Sequence, residues 1–190
     1  MKEQTHLVLE PGTGVDHVVA TAENAGWTTV LDEPRDGNRP RRLAWEGRWD
    51  DVRIYYVDDH LIKVPYLIVR GPDREEAVLE VRLLIPSFDL VRAIPDALCA
   101  ATREDKVEAI RRIAVLAFAS PPLRIVLTVF DGAFTDADPE VRRMAVGAST
   151  YPAWREFEPR LEILANGDED DGVRDLAVRT LAALRRHDWD

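Results

Sequence analysis

Apolar and polar positions change rhythm once along this chain. Up to about Ile85, alternating or β-branched runs are separated by Gly, Pro and Asp clusters; after Pro86, apolar residues recur at helical spacing almost to the end. The first stretch spells a strand, a helix, a run of strands and a second helix. Leu7-Val8-Leu9 forms a short strand ended by Pro11-Gly12, and Thr13 caps a helix from about Val15 whose stripe is Val15, Val18, Val19, Ala22 and Ala25. Gly26 sits where that helix terminates, and Thr28–Leu31 suits a second strand. Pro34 to Arg42 reads as a polar loop. Leu43–Trp45, Val52–Val57 and Leu61–Val69 follow as strands, the last two joined at Asp58-Asp59 by a tight hairpin. Pro65 assigns the last of them to an edge or a bulge. A helix opens at Pro72-Asp73-Arg74-Glu75-Glu76 and buries Ala77, Val78, Val81, Leu84 and Ile85.

The second stretch contains a repeat. Ile110-Arg111-Arg112-Ile113-Ala114-Val115 recurs as Val141-Arg142-Arg143-Met144-Ala145-Val146 and again as Val173-Arg174-Asp175-Leu176-Ala177-Val178, at offsets of 31 and 32 residues. Each copy begins a helix, and small Ala114, Ala145 and Ala177 allow close helix approach. A second apolar helix lies between copies, through Leu123, Val126, Leu127 and Phe130, then through Trp154, Phe157, Leu161 and Leu164. Asp136 to Pro139 and Asp168 to Asp171 offer capping oxygens before copies two and three. Ser87 to Thr102 adds a helix that Pro95 interrupts or restarts. Arg124–Phe130 is β-branched enough to be a strand, and Pro159 either starts a helix or kinks one.

Asp138 to Val146 and Asp170 to Val178 both carry Asp-x-x-Val-Arg-x-x-Ala-Val, a pattern that resembles the short HEAT-like repeats of phycobilin lyases. The likeness covers roughly residues 103–187. It implies stacked helical pairs that share one interior, a fold used by scaffolds, inhibitors, lyase subunits and glycosylases. The expected fold class is therefore α+β: residues 1–86 as a small α/β sandwich with a mainly antiparallel sheet and two helices, and residues 87–190 as an all-α HEAT-like solenoid.

Charge does not mark this boundary. The chain has 190 residues and a net charge of −10; residues 1–86 hold 11 Lys+Arg against 16 Asp+Glu and residues 87–190 hold 14 against 19, −5 in each half. Neither half is a basic unit, which argues against nucleic acid and anionic membranes as partners. No run reaches the roughly 18 apolar residues of a membrane span and the start does not read as a signal peptide, so the expected address is cytoplasmic. A lone cysteine, Cys99, excludes an intramolecular disulfide and reads as buried filler.

Candidate chemistry is sparse. Leu9-Glu10-Pro11-Gly12-Thr13-Gly14 resembles the first motif of S-adenosylmethionine-dependent methyltransferases, with Asp32 in place for ribose hydroxyls. The strands of residues 43–69 lack the helical crossovers that such a domain needs. His6 and His17 have no third ligand at metal spacing, and His60 and His187 stand apart. Asp168 to Asp171 lacks the alternation of a calcium loop. We expect no cofactor and no metal.

Arginine supplies 22 of the 25 basic residues. Arg39, Arg41 and Arg42 cluster beside Trp45, Arg48 and Trp49, and loop arginines with tryptophans are the residue types that anchor protein interfaces. Tyr151, Trp154 and Arg155 form a second such group where an inner helix begins. The expectation is a non-enzymatic module that binds another, basic, protein, of the scaffold, immunity or inhibitor kind. The alternatives are a small transferase built on the Glu10–Gly14 turn, a lyase-like subunit, and a HEAT-like DNA glycosylase.

Overall fold

The computed structural model describes residues 4–37, 39–118 and 120–186. The chain divides into two compact units, Met1–Asp89 and Leu90–Asp190. It is an α+β protein, with an antiparallel sheet in the first unit and helices throughout the second.

Unit one contains β1 (Gln4–Leu9), α1 (Val15–Asn24), β2 (Thr28–Glu33), β3 (Arg41–Glu46), β4 (Arg53–Asp59), β5 (Val64–Arg70), α2 (Arg74–Leu84) and β6 (Ser87–Phe88). The sheet order is β2-β3-β4-β5-β1-β6 and every pairing is antiparallel. The first strand is thus inserted between the fifth and sixth. It pairs Gln4–Val8 with Arg70–Tyr66 on one side and Val8–Leu9 with Phe88–Ser87 on the other. Leu7, Leu9, Leu43, Trp45, Ile54, Tyr56, Leu67 and Val69 point to one face, where Val18 and Ala22 of α1 and Ala77 and Val81 of α2 join the same buried cluster.

Local chemistry ends α1 as its sequence promises. Gly26 takes the left-handed φ of 71° and donates its N–H to Glu23 O, while the Trp27 N–H reaches Ala22 O at 2.9 Å. These paired bonds close the last turn and deliver Trp27 into the core.

Six expectations need correction. Ser87 and Phe88 do not begin a helix but form the strand β6 beside β1, so the helix expected over residues 87–102 covers only Leu90–Cys99. Gly14, not Thr13, is the N-cap of α1, and no side chain caps it; Thr13 is buried instead. Arg41 and Arg42 belong to β3 rather than to the preceding loop, because Arg42 pairs with Glu33 in the ladder. The β4–β5 connection is a four-residue loop, residues 60–63. Asp59 stays in register with Val64, and Lys63 turns the chain with φ 58°. β5 is a central strand despite Pro65. Its pairing with β1 begins one residue later, at Tyr66, so the missing N–H removes no bond on that side. Finally, Leu84 of α2 is 41% exposed, since the helix faces the sheet through Ala77 and Val81.

Unit two contains α3 (Leu90–Cys99), α4 (Arg103–Leu116), α5 (Arg124–Phe134), α6 (Pro139–Ala148), a 3-10 turn (Arg155–Phe157), α7 (Glu158–Gly167) and α8 (Asp171–Arg186). The three repeated segments fall in α4, α6 and α8, and α6 packs against both of the others; α5 packs against α3, α4, α6 and α7. Ala114, Ala145 and Ala177 are all fully buried. Pro95 lies inside a continuous α3 and neither interrupts nor restarts it. α5 is a helix despite its β-branched start, because the helical period puts Val126, Val129, Phe130, Ala133 and Phe134 on one buried side. Pro159 sits in the first turn of α7, where its missing N–H costs nothing.

An aromatic cluster fills this interior. Phe130 lies 4.8 Å from Phe157 between ring centroids, Phe134 packs on both, and Trp154 stacks on Phe157 at 5.6 Å. Phe130 is fully buried. Phe130→Ala is expected to lower stability by about 3–5 kcal/mol in urea unfolding, whereas Val91→Ala, at a position 82% exposed, should change it by less than about 0.5 kcal/mol.

Candidate functional site

Two kinds of residue were singled out for binding, and the fold treats them differently. Trp45 and Trp49 are buried in unit one, the latter 6.1 Å from Trp27 between ring centroids. Trp154 is buried in unit two, and its Nε1–H donates to Ser120 O at 2.9 Å. All three tryptophans are built into cores. Arg39, Arg42, Arg48 and Arg155 are exposed, and Arg41 and Tyr151 are half-buried. Arg42 donates to Glu33 through Nε at 3.0 Å, and Arg48 pairs with Glu80 while lying 5.9 Å from the Trp49 ring centroid. Arg39 closes a small loop through a backbone bridge to Asp36. Thus Arg48 sits at the surface over the buried Trp49, while Arg42 is paired along the β2–β3 ladder. Tyr151, Trp154 and Arg155 occupy the connection and 3-10 turn ahead of α7 rather than the start of the helix itself.

The Glu10–Gly14 turn is well formed, with Gly12 at φ 89° and the Thr13 N–H on Glu10 O. However, Asp32 lies on β2, four strand positions from β1. At about 4.8 Å per position, roughly 19 Å separates the two strands. The sheet does not bring together the acid, the glycines and the ribose-binding carboxylate that the motif needs. Cys99 is exposed, contrary to its expected burial, because α3 turns Ala93 inward and leaves Val91, Leu98 and Cys99 outward. His6 is buried and meets Tyr66 edge-on at 5.8 Å; His187 lies outside the described residues. Among the described residues no group of three or more His, Cys, Asp or Glu is placed to hold a metal ion. Among them also, no helix is long and apolar enough to cross a membrane.

What the sequence reading missed is a groove. It has a volume of about 240 Å³ and lies between α3, α4 and α5, with Ala97, Leu98, Ala109, Ile110, Gly132 and Ala133 among its lining. Small side chains on three helices leave the space, and Leu98, 56% exposed, stands at its rim. The signal was present as the spacing of Val91 and Leu98, two turns apart on one helical face. Pattern alone cannot say whether such a stripe is covered. Lys106 and Asp136 also line it and pair with each other at 2.6 Å.

The turns that frame this unit are held by charge. Arg142, on α6, is 6% exposed and donates through Nε and Nη2 to the two carboxylate oxygens of Asp168, each at 2.8 Å. Its Nη1 reaches back to Asp136 O at 2.8 Å and Ala137 O at 3.2 Å. Arg174, one repeat later, donates likewise to Asp168 O. Asp136 and Asp168 each also accept an N–H from two residues on, and Asp138 accepts the Glu140 N–H to cap α6. The acidic turns thus cap helices and also receive cations from neighbouring repeats. Burial by itself pushes the Asp168 carboxyl up, but the Arg142 hydrogen bonds, the Asp170 amide and the Arg142 charge together hold it below its ordinary value.

Comparison of the chain with family models, characterised proteins and solved structures finds no match.

Asp168→Asn takes from buried Arg142 its two-bond carboxylate partner, leaving only the exposed Glu169 carboxylate at 3.3 Å, and is expected to cost about 3 kcal/mol. Because the folded Asp168 carboxyl lies below its unfolded value, its contribution is complete above the ordinary carboxylate range and is lost as pH falls through the folded value. Urea midpoints of wild type and Asp168→Asn should therefore keep their gap from pH 7 down to the ordinary carboxylate value and draw together only below it.

Proposed function

We propose that the protein is a non-catalytic recognition module, that its helical unit is a short HEAT-like array, and that it binds a basic partner protein. The groove beside Leu98 carries this reading: a recess walled by small apolar residues, with an exposed leucine at its rim, suits an apolar side chain of another protein. The net charge of −10 supports the sign of the partner, since like charge would be repelled. For the array, support comes from α4, α6 and α8 packing in succession through buried alanines and from the Arg142–Asp168 link between successive repeats. The proposal extends to an inhibitor or immunity-type role in the cytoplasm, the kind in which an acidic protein opposes a basic one.

The test uses the full chain and its Leu98→Glu and Ala133→Leu variants as bait against an extract of the source cells. A partner with a basic isoelectric point should be captured by the wild type and lost from both variants. Its complex should weaken as salt rises from about 0.05 to 0.5 M. Capture that survives both substitutions, or a captured partner that is acidic, overturns the reading.

A further inference from the structure

Unit one has a cleft of about 1000 Å³ at the end of β3, β4 and β5, lined by Glu46, Trp49, Asp50, Asp51, Arg53 and Arg70 among others. Its shape is imposed by backbone crowding. A Cβ on Gly71, whose φ is 148°, would overlap the Asp51 carbonyl oxygen and approach Val52 Cα to 2.9 Å. A Cβ on Gly47 would overlap the Trp49 ring. Asp51 itself holds a left-handed φ of 55°, a conformation that costs energy in a non-glycine residue and clusters at binding sites.

The charges in this cleft are incompletely matched. Arg53 and Arg70 are directly opposed across β4 and β5, an arrangement that repels unless something neutralises it. Arg53 is neutralised, by Glu46 at 2.7 Å. Arg70, exposed at the end of β5, has no ion-pair partner among the described residues, nor have Asp50 and Asp51. Trp49 is only 8% exposed, yet its Nε1–H has no hydrogen-bond acceptor among the described residues.

We infer that this cleft binds a zwitterion, an α-amino acid or the end of a short peptide. Its carboxylate would lie on Arg70 and its ammonium group on Asp50 and Asp51. Arginine receives a carboxylate through two parallel N–H bonds. The paired aspartates repel a polyanion, so a nucleotide or polyphosphate is disfavoured, while Arg70 repels a simple cation. Only a ligand carrying both signs complements unpaired charges of both kinds in the lining.

Thermal unfolding and tryptophan fluorescence of the full chain test the inference with glycine, L-glutamate, L-arginine and triglycine, each at about 10 mM. Inorganic phosphate and ethylammonium serve as the anion-only and cation-only probes. At least one zwitterion should raise the melting temperature saturably and perturb the fluorescence, and the two single-charge probes should not. A free amino acid active where triglycine is not marks the free ligand; the reverse marks a peptide end. Arg70→Gln and Asp51→Asn should each weaken the response about tenfold, and Asn keeps the left-handed turn accessible. No shift with any of the four zwitterions, an equal shift with phosphate alone, or an undiminished shift in both variants overturns it. The groove variants Leu98→Glu and Ala133→Leu should leave the response unchanged, which separates this site from the one in unit two.

Discussion

Arg142 holds the helical unit at its middle. A guanidinium at 6% exposure must meet its donors' needs inside the protein, and it does so by reaching in two directions. Backward, it closes on the carbonyls of Asp136 and Ala137, the turn that leads into its own helix. Forward, it forks onto Asp168, the turn that leads into α8. One side chain therefore sets the spacing of two successive turns. The small alanines at the repeated helix position then allow the layers to close over the aromatic cluster. A lysine could not do this, because its single ammonium cannot make the planar two-bond fork and bond the turn carbonyls as well.

In unit one the corresponding constraint is where β1 lies. Strand order β2-β3-β4-β5-β1-β6 means that α1 connects strands four positions apart and α2 connects strands two positions apart. Both helices cross the sheet to do so and fall on the same buried cluster. That placement separates the Glu10–Gly14 turn from Asp32. At the opposite end of the sheet from such a turn, the crowded backbones of Gly47, Asp51 and Gly71 open the charged cleft. The two recesses are chemically unlike: in one, small apolar side chains line most of the wall and its two charges, Lys106 and Asp136, are paired with each other; in the other, charges of both signs stay unpaired. The two proposed binding sites accordingly lie in different units.

The tryptophans and arginines show how far residue type alone can lead. Trp45, Trp49 and Trp154 were candidates because tryptophan is common in interfaces, yet the same area that favours contact with a partner favours burial in a core. In the sequence Arg142 is one position of a repeated motif. Its role depends on Asp168, 26 residues on, a separation at which no local pattern can announce a contact. Likewise Arg70 and Arg53 become a pair only through the β4–β5 register, and the groove exists only where three helices converge.

The sequence by itself determined most of the elements and their order, though not β6, whose two residues are a strand only because β1 lies beside them. Hydrophobic period separates strands from helices, Gly26 and Pro159 act at helix ends through their own backbone geometry, and a motif recurring at 31 and 32 residues announces repeated helices; all are short-range effects. Tertiary structure alone decided the rest. It inserted β1 between β5 and β6, kept Pro65 in a central strand, made α5 a helix against its β-branched start, and turned Val91 and Leu98 outward. The physical reason is common to all four. Which side of an element is buried, and which backbone groups remain to be paired, depends on neighbours distant in the chain, and those neighbours contribute more free energy than local preference does.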